Sequence, residues 1–396
     1  MTLDPSTAVI GYCTNVHAGT DLSQVQQNLQ EYTLAVKQRV RPEGPMGIGL
    51  WLSHAACRDL FATGELSPFA AWLAESELLP FTFNGFPYSN FHQPVVKHDV
   101  YLPDWTKPER LAYTVQLAEV QAALLAAQPG STEFATISTL PLGWPTAVSE
   151  KQDFQKACAV QLIQLTEQLD ELSQRTGIRT MVCLEPEPGC QLDTATDVAE
   201  FFDQYLGAAE NRSRERIQRH LGVCHDVCHS SVMFESQQEA LQTYENSGIE
   251  VGKYQISSAV EVNFDDCQEP TVAEARLDEL QQFAEPRYLH QTTIRNADGQ
   301  HQFFDDLPLA LEQADSRPRG TWRVHFHVPL FADQLGSIGT TQSDIRHCLD
   351  ALKPPADRPV HFELETYAWT VLPEQLQVPL AVGIAQEIEW FDQLQD

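Results

Sequence analysis

Residues 220–229 read HLGVCHDVCH, an apolar run that ends in Asp226 and is followed three residues later by His229. Residues 180–186 read TMVCLEP and have the same form, with Glu185 at the end of the run. A buried strand that ends in a carboxylate and then turns places that group at the carboxyl-terminal rim of a parallel barrel, where barrel active sites are built. These strand ends favour a barrel over a doubly wound open sheet, which would show the same alternation of strands and helices.

A third stretch, PVHFELET (359–366), alternates so that Glu363 and Glu365 share one face, with Glu365 nearer the rim. A carboxylate that faces the inside of a barrel is costly unless it is paired, hydrogen-bonded or bound to a metal. The rim carboxylates Glu185, Asp226 and Glu365 would repel one another if nothing lay between them. We therefore predict a cation among them.

Histidines extend this predicted metal site. Asp226 and His229 form a D-x-x-H pattern that offers one oxygen and one nitrogen ligand, although an N-capping Asp followed by a surface His fits equally well. His325 and His327, in RVHFHVPLF, lie on the same side of an extended run and can converge on one or two metals. The alternative for this pair is hydrogen bonding to the barrel backbone.

The whole chain shows an alternation of strand and helix patterns. The helical spacing of Leu162, Leu165, Leu169 and Leu172, closed by Gly177, is one example. Together the patterns predict a (β/α)8 TIM barrel formed by a single domain over residues 1–396. Eight strands are predicted to begin at Ala8, Met46, Leu79, Glu133, Thr180, His220, Val251 and Pro359.

The regular pattern is interrupted between the seventh and eighth strands, at about residues 262–320. This insertion contains a short helix pattern from Val272 to Phe283 and a hairpin whose centre, Asn296 to Gly299, has turn chemistry. A ninth strand, TWRVHFHVPLF, follows it. Because the insertion has too few apolar residues for a core of its own, we expect an elaborated loop over the barrel mouth. A closing helix is predicted between residues 373 and 395.

Composition excludes several classes of partner. The chain has 25 Lys and Arg against 55 Asp and Glu, a formal charge of −30. This charge disfavours nucleic acid and anionic lipid, which both bind basic surfaces. With no long apolar stretch and no leader pattern, we expect a cytoplasmic chain without membrane insertion. The nine cysteines are odd in number and lack CxxC spacing, so we expect reduced, mostly buried thiols.

Polar and aromatic residues near other strand ends are candidate substrate contacts. His17 follows the first strand, His54 the second, and Asn84 lies in the turn after the third. Trp144 belongs to a set of aromatic residues near the same ends that could wall a pocket. The alternatives are a helix start for the histidines, turn chemistry for Asn84 and ordinary packing for Trp144.

Taken together, LEP at Glu185, HDVCH at Asp226 and His229, and LET at Glu365 resemble the xylose-isomerase-like TIM barrels. That superfamily contains sugar isomerases, sugar epimerases and nucleases of the endonuclease IV type. The resemblance implies that Glu185, Asp226 and Glu365 bind a metal, joined by His229 if a second ion is present. Gln255 stands where the family has a strand-seven histidine. The resemblance therefore leaves two alternatives. His325 or His327 replaces that histidine as a metal ligand, or metal binding is weakened or altered.

A closer resemblance is to the metabolite traffic proteins of the EboE family. It rests on GYCTNVHAG, FTFNGFPYSNFH, STLPLGW, RVHFHVPLF and ETYAWTVLP. This resemblance implies a place in secondary-metabolite biosynthesis or export and partner proteins from a metabolite-export operon.

Three functions remain open on the sequence. The first is a metal-dependent isomerase or epimerase of a small sugar-like or polyol metabolite, in which Glu185 and Glu365 move a proton and Gln255 contacts substrate. It needs Mn, Mg, Co or Zn and no organic cofactor. The second is a zinc-dependent hydrolase of a phosphoester other than nucleic acid. The third is a non-catalytic metabolite carrier or assembly protein on the same fold.

Overall fold

The computed structural model describes residues 8–130, 133–145, 150–207, 210–314 and 318–395. Eight parallel strands close into a barrel in which each strand pairs with its sequence neighbour and the last pairs with the first. The predicted (β/α)8 barrel is therefore confirmed, and each strand begins within one residue of its predicted start. The barrel strands are β1 (Ala8–Cys13), β2 (Met46–Trp51), β3 (Leu78–Asn84), β4 (Phe134–Thr139), β5 (Arg179–Leu184), β6 (Leu221–Asp226), β7 (Val251–Ile256) and β14 (Val360–Leu364).

Most helices surround the barrel because their apolar faces pack against strands that are buried on both sides. The helices are α1 (Leu22–Asn28), α2 (Leu34–Val40), α3 (His54–Ala62), α4 (Leu66–Glu75), α5 (Pro108–Ala126), α6 (Lys151–Thr176), α7 (Ala195–Phe201), α8 (Asn211–His220), α9 (Val227–Val232), α10 (Gln237–Asn246), α11 (Pro270–Gln281), α12 (Leu307–Glu312), α13 (Gln342–Ala351) and α14 (Leu380–Gln395). Of these, α11 and α12 belong to the insertion and contact each other and strands outside the barrel. Within the described parts of the chain, no helix is both long and apolar enough to cross a bilayer.

The α6 helix shows how local sequence sets an element. Leu162, Leu165, Leu169 and Leu172 form its buried stripe, as their spacing predicts. The helix ends at Gly177, whose φ of 76° is the left-handed conformation that a glycine cap tolerates without steric cost. The closing helix begins at Leu380, later than predicted, because Pro373 and Pro379 flank a short 3-10 turn.

Strands of the insertion and of the segments that flank it form a second sheet with the order β10-β9-β11-β8-β13-β12. The predicted hairpin is confirmed as antiparallel β9 and β10 around Gly299. Buried apolar side chains of this region belong to the same continuous core as the barrel. The single-domain organisation of the chain remains a prediction. The strands are β8 (Val260–Asn263), β9 (Thr292–Arg295), β10 (His301–Phe304), β11 (Thr321–Val324), β12 (Gln334–Leu335) and β13 (Ile338–Thr340).

The predicted ninth strand is shorter than expected. It ends at Val324, and the expectation that His325 and His327 belong to an extended strand is wrong. The amide of His325 bonds to the carbonyl of Gln291, and that of Val328 bonds to the carbonyl of Ser258. Both acceptors lie just before strands of this sheet, and the two imidazoles line the cavity at the barrel mouth together with Glu185 and Glu365.

All nine cysteines are unpaired, and eight of them are buried. Cys267 is half-buried. Burial among apolar side chains is the usual environment of a structural thiol.

Candidate metal centre

Three carboxylates meet at the carboxyl-terminal mouth of the barrel. Glu185 follows β5, Asp226 ends β6 and Glu365 follows β14, and each is less than 5% exposed. One oxygen from each carboxylate lies within 4.8 Å of the others. The strand ends bring these groups together because parallel barrel strands all terminate at the same rim.

Asp226 has two roles at once. Its Oδ1 accepts the backbone N–H of His229 at 2.9 Å and the hydroxyl of Ser257 at 2.6 Å, so it caps helix α9. Its Oδ2 is buried and has no hydrogen-bond partner in the described residues. Asp226 is therefore an N-cap, as one interpretation of D-x-x-H predicts, and it also has a free oxygen at the site. The surface position that this interpretation gave His229 is wrong, because His229 is buried.

Amide side chains hold Glu365. Its Oε1 accepts the Nδ2 groups of Asn15 at 2.6 Å and Asn84 at 3.0 Å. Its Oε2 accepts the amide of Gln255, which also donates to Oε1 of Glu185 at 3.3 Å. Gln255 is fully buried between these two carboxylates. The glutamine thus lies at the centre of the site, and both oxygens of Glu365 are already engaged.

Three imidazoles border the carboxylates, and the Nδ1 atom of each has a hydrogen-bond acceptor. His229 donates to the carbonyl of Pro186 at 2.9 Å, and His327 to the carbonyl of Glu365 at 3.0 Å. His325 donates to Oε1 of Gln291 at 2.8 Å.

A proton assigned to Nδ1 leaves the Nε2 lone pair available as a metal ligand. The assignment follows from the hydrogen-bond network. The Nε2 atoms of His229 and His325 lie 3.1 Å apart, and Nε2 of His327 is buried without a partner in the described chain.

Glu187 is a site residue that our sequence analysis missed. It is buried, accepts the hydroxyl of Tyr101 at 2.8 Å and the amide of Gln291 at 2.9 Å, and has an oxygen within 4.8 Å of ligand nitrogens on His229 and His325. The signal was present, because the strand end reads LEPEP and places a second acid two residues after Glu185. Asn15, two residues after the end of β1, had the same strand-end signal and was also missed. Gln291 had no local signal, since it reaches the site from the insertion.

Electrostatics at the site reflect burial of several acids together. Burial, with Glu365 and Asp226 nearby, raises the pKa of Glu185 well above its ordinary value. Burial and the same acidic neighbourhood raise the pKa of Glu365 to about 8. Burial alone would also raise the pKa of Asp226, but His229, His327 and the hydrogen bond from Ser257 hold it below its ordinary value.

Burial lowers the pKa of His327 to about 4 and that of His325 well below its ordinary value. Both imidazoles are therefore neutral at pH 7, as a metal ligand must be.

A small cavity of about 60 Å³ lies over these groups. This is room for an ion and a few water molecules. Its floor is polar and includes Asn15, Asn84, Glu185, Glu187 and Glu365 with the three imidazoles, while its walls carry Phe86, Phe91, Tyr101, Tyr288 and Tyr367. Lys97 is the one cationic side chain among its described lining residues, and its Nζ is paired with Asp306 at 2.6 Å.

Four of the five predicted substrate contacts do not line this cavity. Gln255 lies between Glu185 and Glu365, and the other three lie elsewhere. His17 bonds to the hydroxyl of Tyr12 at 3.0 Å and lines a separate small cavity. His54 begins α3 and stacks on Tyr88 with ring centres 4.7 Å apart. Trp144 contacts the ring of Tyr101, 5.1 Å away, and so lies behind the cavity wall. Substrate contact by these three residues stays a prediction that this geometry does not support.

The donor set fits a divalent cation. Glu185 Oε2, Asp226 Oδ2 and His327 Nε2 are buried without hydrogen-bond partners in the described residues. Asp226 has ligand atoms of Glu185 and Glu365 within 4.8 Å and, in a second set, those of His229 and His327. Because buried polar atoms are normally satisfied, these atoms suit a bound cation. Carboxylate oxygen and imidazole nitrogen suit zinc and manganese, and the carboxylates alone suit magnesium.

Comparison with known proteins agrees with the fold. No protein-family model matches the chain, and no curated protein matches its sequence. Among solved structures, it is similar to a xylose isomerase-like TIM barrel protein from Mycobacterium smegmatis in complex with magnesium, with 12% identity, 99% of this chain and 98% of that chain covered, and a TM-score of 0.50.

Two further matches are the IOLI protein with a bound zinc atom and a putative sugar phosphate isomerase/epimerase from Anabaena variabilis. The IOLI match has 10% identity, 98% coverage of both chains and a TM-score of 0.49. The Anabaena match also has 10% identity and 98% coverage of both chains, with a TM-score of 0.48. Likeness at such low identity shows the fold alone, a (β/α)8 barrel.

Proposed function

We propose that this chain is a divalent-metal-dependent isomerase or epimerase that acts on a small sugar-like or polyol metabolite. The observation that carries the proposal is the group of buried, unpartnered ligand atoms on Glu185, Asp226 and His327. A purely structural polar cluster would satisfy these atoms internally. Glu185, Asp226 and Glu365 would hold the ion, with His327 and His229 beside them.

A bound divalent ion would polarise the oxygens of a hydroxy-carbonyl substrate and make the adjacent carbon-bound proton more acidic. Glu185 has a free oxygen, Oε2, and is the better placed of the two glutamates to take up that proton. Glu365 is held in one orientation by Asn15, Asn84 and Gln255, which suits a group that must return a proton from a constant direction.

Charge supports a substrate without phosphate. The cavity floor is acidic, and its one described lysine, Lys97, is already paired with Asp306. Phosphate groups in proteins are bound by arginines, lysines or free backbone N–H groups. Hydroxyl groups match the amides of Asn15 and Asn84, and the aromatic walls suit the C–H face of a polyol.

The resemblance to metabolite traffic proteins extends the proposal to a metabolite of secondary metabolism and to partners encoded with it for export. This extension rests on the motifs quoted above. Gln255 in the strand-seven position favours the carrier alternative, because its amide occupies the space between Glu185 and Glu365 where a ligand would bind.

One observation favours the hydrolase alternative. The facing Nε2 atoms of His229 and His325, with Glu187 beside them, form a second set of potential ligands for zinc. A second ion beside the first is the arrangement that activates water in many metallohydrolases.

Elemental analysis of gently purified protein tests these functions. We expect one divalent ion per chain and its loss in Glu185→Ala and Asp226→Ala. If neither substitution changes the metal content, the assigned ligands are wrong. Two or three zinc ions per chain would support the hydrolase.

Isotope exchange tests the chemistry separately. Metal-loaded protein is incubated in D2O with a panel of unphosphorylated ketoses and keto-polyols, and we expect deuterium at the carbon next to the carbonyl. Retention of carbon-bound hydrogen under turnover would contradict the proton-transfer mechanism.

A further inference from the structure

A fully buried ion pair lies one layer below the candidate metal centre. Lys253 precedes Gln255 by two residues on β7, and Glu363 precedes Glu365 by two residues on β14. Because side chains alternate along a strand, both point into the barrel. Lys253 Nζ donates to Glu363 Oε2 and to the hydroxyl of Ser138, the latter at 3.3 Å. Neither side chain of the pair is exposed to solvent.

Strand β2, which is separated from β14 by β1, makes room for this pair inside the barrel. A Cβ atom at Gly49 would lie 1.6 Å from Oε1 of Glu363, so only glycine fits at this position on β2. Oε1 itself has no hydrogen-bond partner in the described residues. The glycine on β2 therefore leaves space for the carboxylate of Glu363, and one oxygen of that carboxylate has no hydrogen-bond partner among the described residues.

Stability does not explain the pair. Replacing a buried ion pair with well-packed apolar residues of similar volume is often neutral or stabilising, because two charges must be desolvated. We propose that Lys253 and Glu363 are electrostatic positioning residues that set the affinity of the metal centre above them. This inference rests on the proposed metal site.

The affinity of the site for a divalent ion depends on the net charge around it. Glu185, Asp226 and Glu365 carry up to three negative charges around the ion, and Lys253 cancels the fourth charge, that of Glu363. Two residues along a strand span about 7 Å, a distance at which one uncancelled charge in a protein interior changes the binding of a divalent ion by about tenfold or more.

A charge-matched series tests the proposal by titration calorimetry of the metal-stripped full chain with Mn2+ and Zn2+. In Glu363→Gln, the ammonium group of Lys253 either opposes the ion or must lose its proton, so we expect at least about tenfold weaker binding. In the neutral double variant Lys253→Met/Glu363→Gln, we expect binding within about threefold of wild type. Lys253→Met should bind no more weakly than the wild type.

The series separates charge from packing. Glu250→Gln, in a surface-side pair with Arg358 before the start of β7, is a matched control that should leave affinity unchanged. If Glu363→Gln and the double variant bind equally, the electrostatic role is overturned. If the single variants do not fold, the double variant decides: affinity within about threefold of wild type supports the proposal and a larger loss overturns it. A wild type that binds no ion would overturn the proposed function instead.

Discussion

The Nε2 atoms of His229 and His325 lie 3.1 Å apart, while the Nδ1 atom of each ring bonds to an oxygen acceptor. Two neutral imidazoles in this arrangement direct their lone pairs at each other, which is unfavourable unless a proton or a metal ion lies nearby. The pair joins helix α9 to the segment that follows β11, two parts of the chain 96 residues apart in sequence. A cation at this point would therefore connect the barrel rim to the structure that covers it.

Metal binding should stabilise the fold through Asp226. We expect Zn2+ or Mn2+ to raise the melting temperature of the metal-stripped chain, because a ligand at 100 times its Kd contributes about 2.7 kcal/mol. Asp226→Asn keeps the acceptor for His229 N–H and Ser257 but removes the free carboxylate oxygen. Most of the metal-induced shift should disappear in differential scanning calorimetry. Asp170→Asn, on the outer helix α6, is the control, and an undiminished shift in Asp226→Asn would exclude that ligand.

Gln255→His should tighten metal binding. The glutamine amide donates to Glu185 and Glu365 and so competes with a cation for both. An imidazole would replace this donor with a lone pair, and we expect Zn2+ affinity to rise about tenfold or more, corresponding to about 1.4 kcal/mol. Competition with a chromogenic chelator measures the change. Unchanged or weaker affinity would show that Gln255 is not at a ligand position.

Gly49→Ala should destabilise the barrel. The added methyl group would collide with Oε1 of Glu363, which the ion pair with Lys253 holds in place. Overpacking of this kind costs about 1–3 kcal/mol. Urea denaturation measures the loss, and Gly339→Ala is the control because its nearest neighbour would be 3.5 Å away. Equal stability of the two variants would show that Glu363 can relax without cost.

Stability should fall as pH rises through the range set by Glu235. Burial raises the pKa of this carboxyl to about 7, since the backbone N–H of Ala195 offsets the burial only in part. Its protonated form is favoured in the fold, so its contribution to stability is complete below an unfolded pKa of about 4.5 and is lost by pH 7.

Urea denaturation at pH 5 and pH 7.5 measures this contribution. Glu235→Gln should show a smaller difference between the two pH values than the wild type. The exposed Glu239→Gln is the control and should keep the full difference. A Glu235→Gln variant with the same pH dependence as wild type would contradict the assignment.

The strands and the three acids were predictable because their signals are local. Burial on both faces favours apolar runs, and Glu185 and Asp226 follow such runs at their carboxyl ends. Glu365 follows a strand whose alternation shows which face it shares with Glu363. The extent of the ninth strand was not predictable, because β propensity in TWRVHFHVPLF does not show that the amides of His325 and Val328 bond outside the sheet.

By itself, the sequence determined the eight-stranded barrel and the rim position of its acids, since periodicity along a strand specifies both which residues are buried and where the strand ends. Only the tertiary structure decided that Glu187, Gln291 and His325 meet His229, and that His17 and His54 lie elsewhere. The physical reason is that these meetings depend on how the insertion packs over the barrel mouth, and packing between distant segments leaves no periodic signal in either of them.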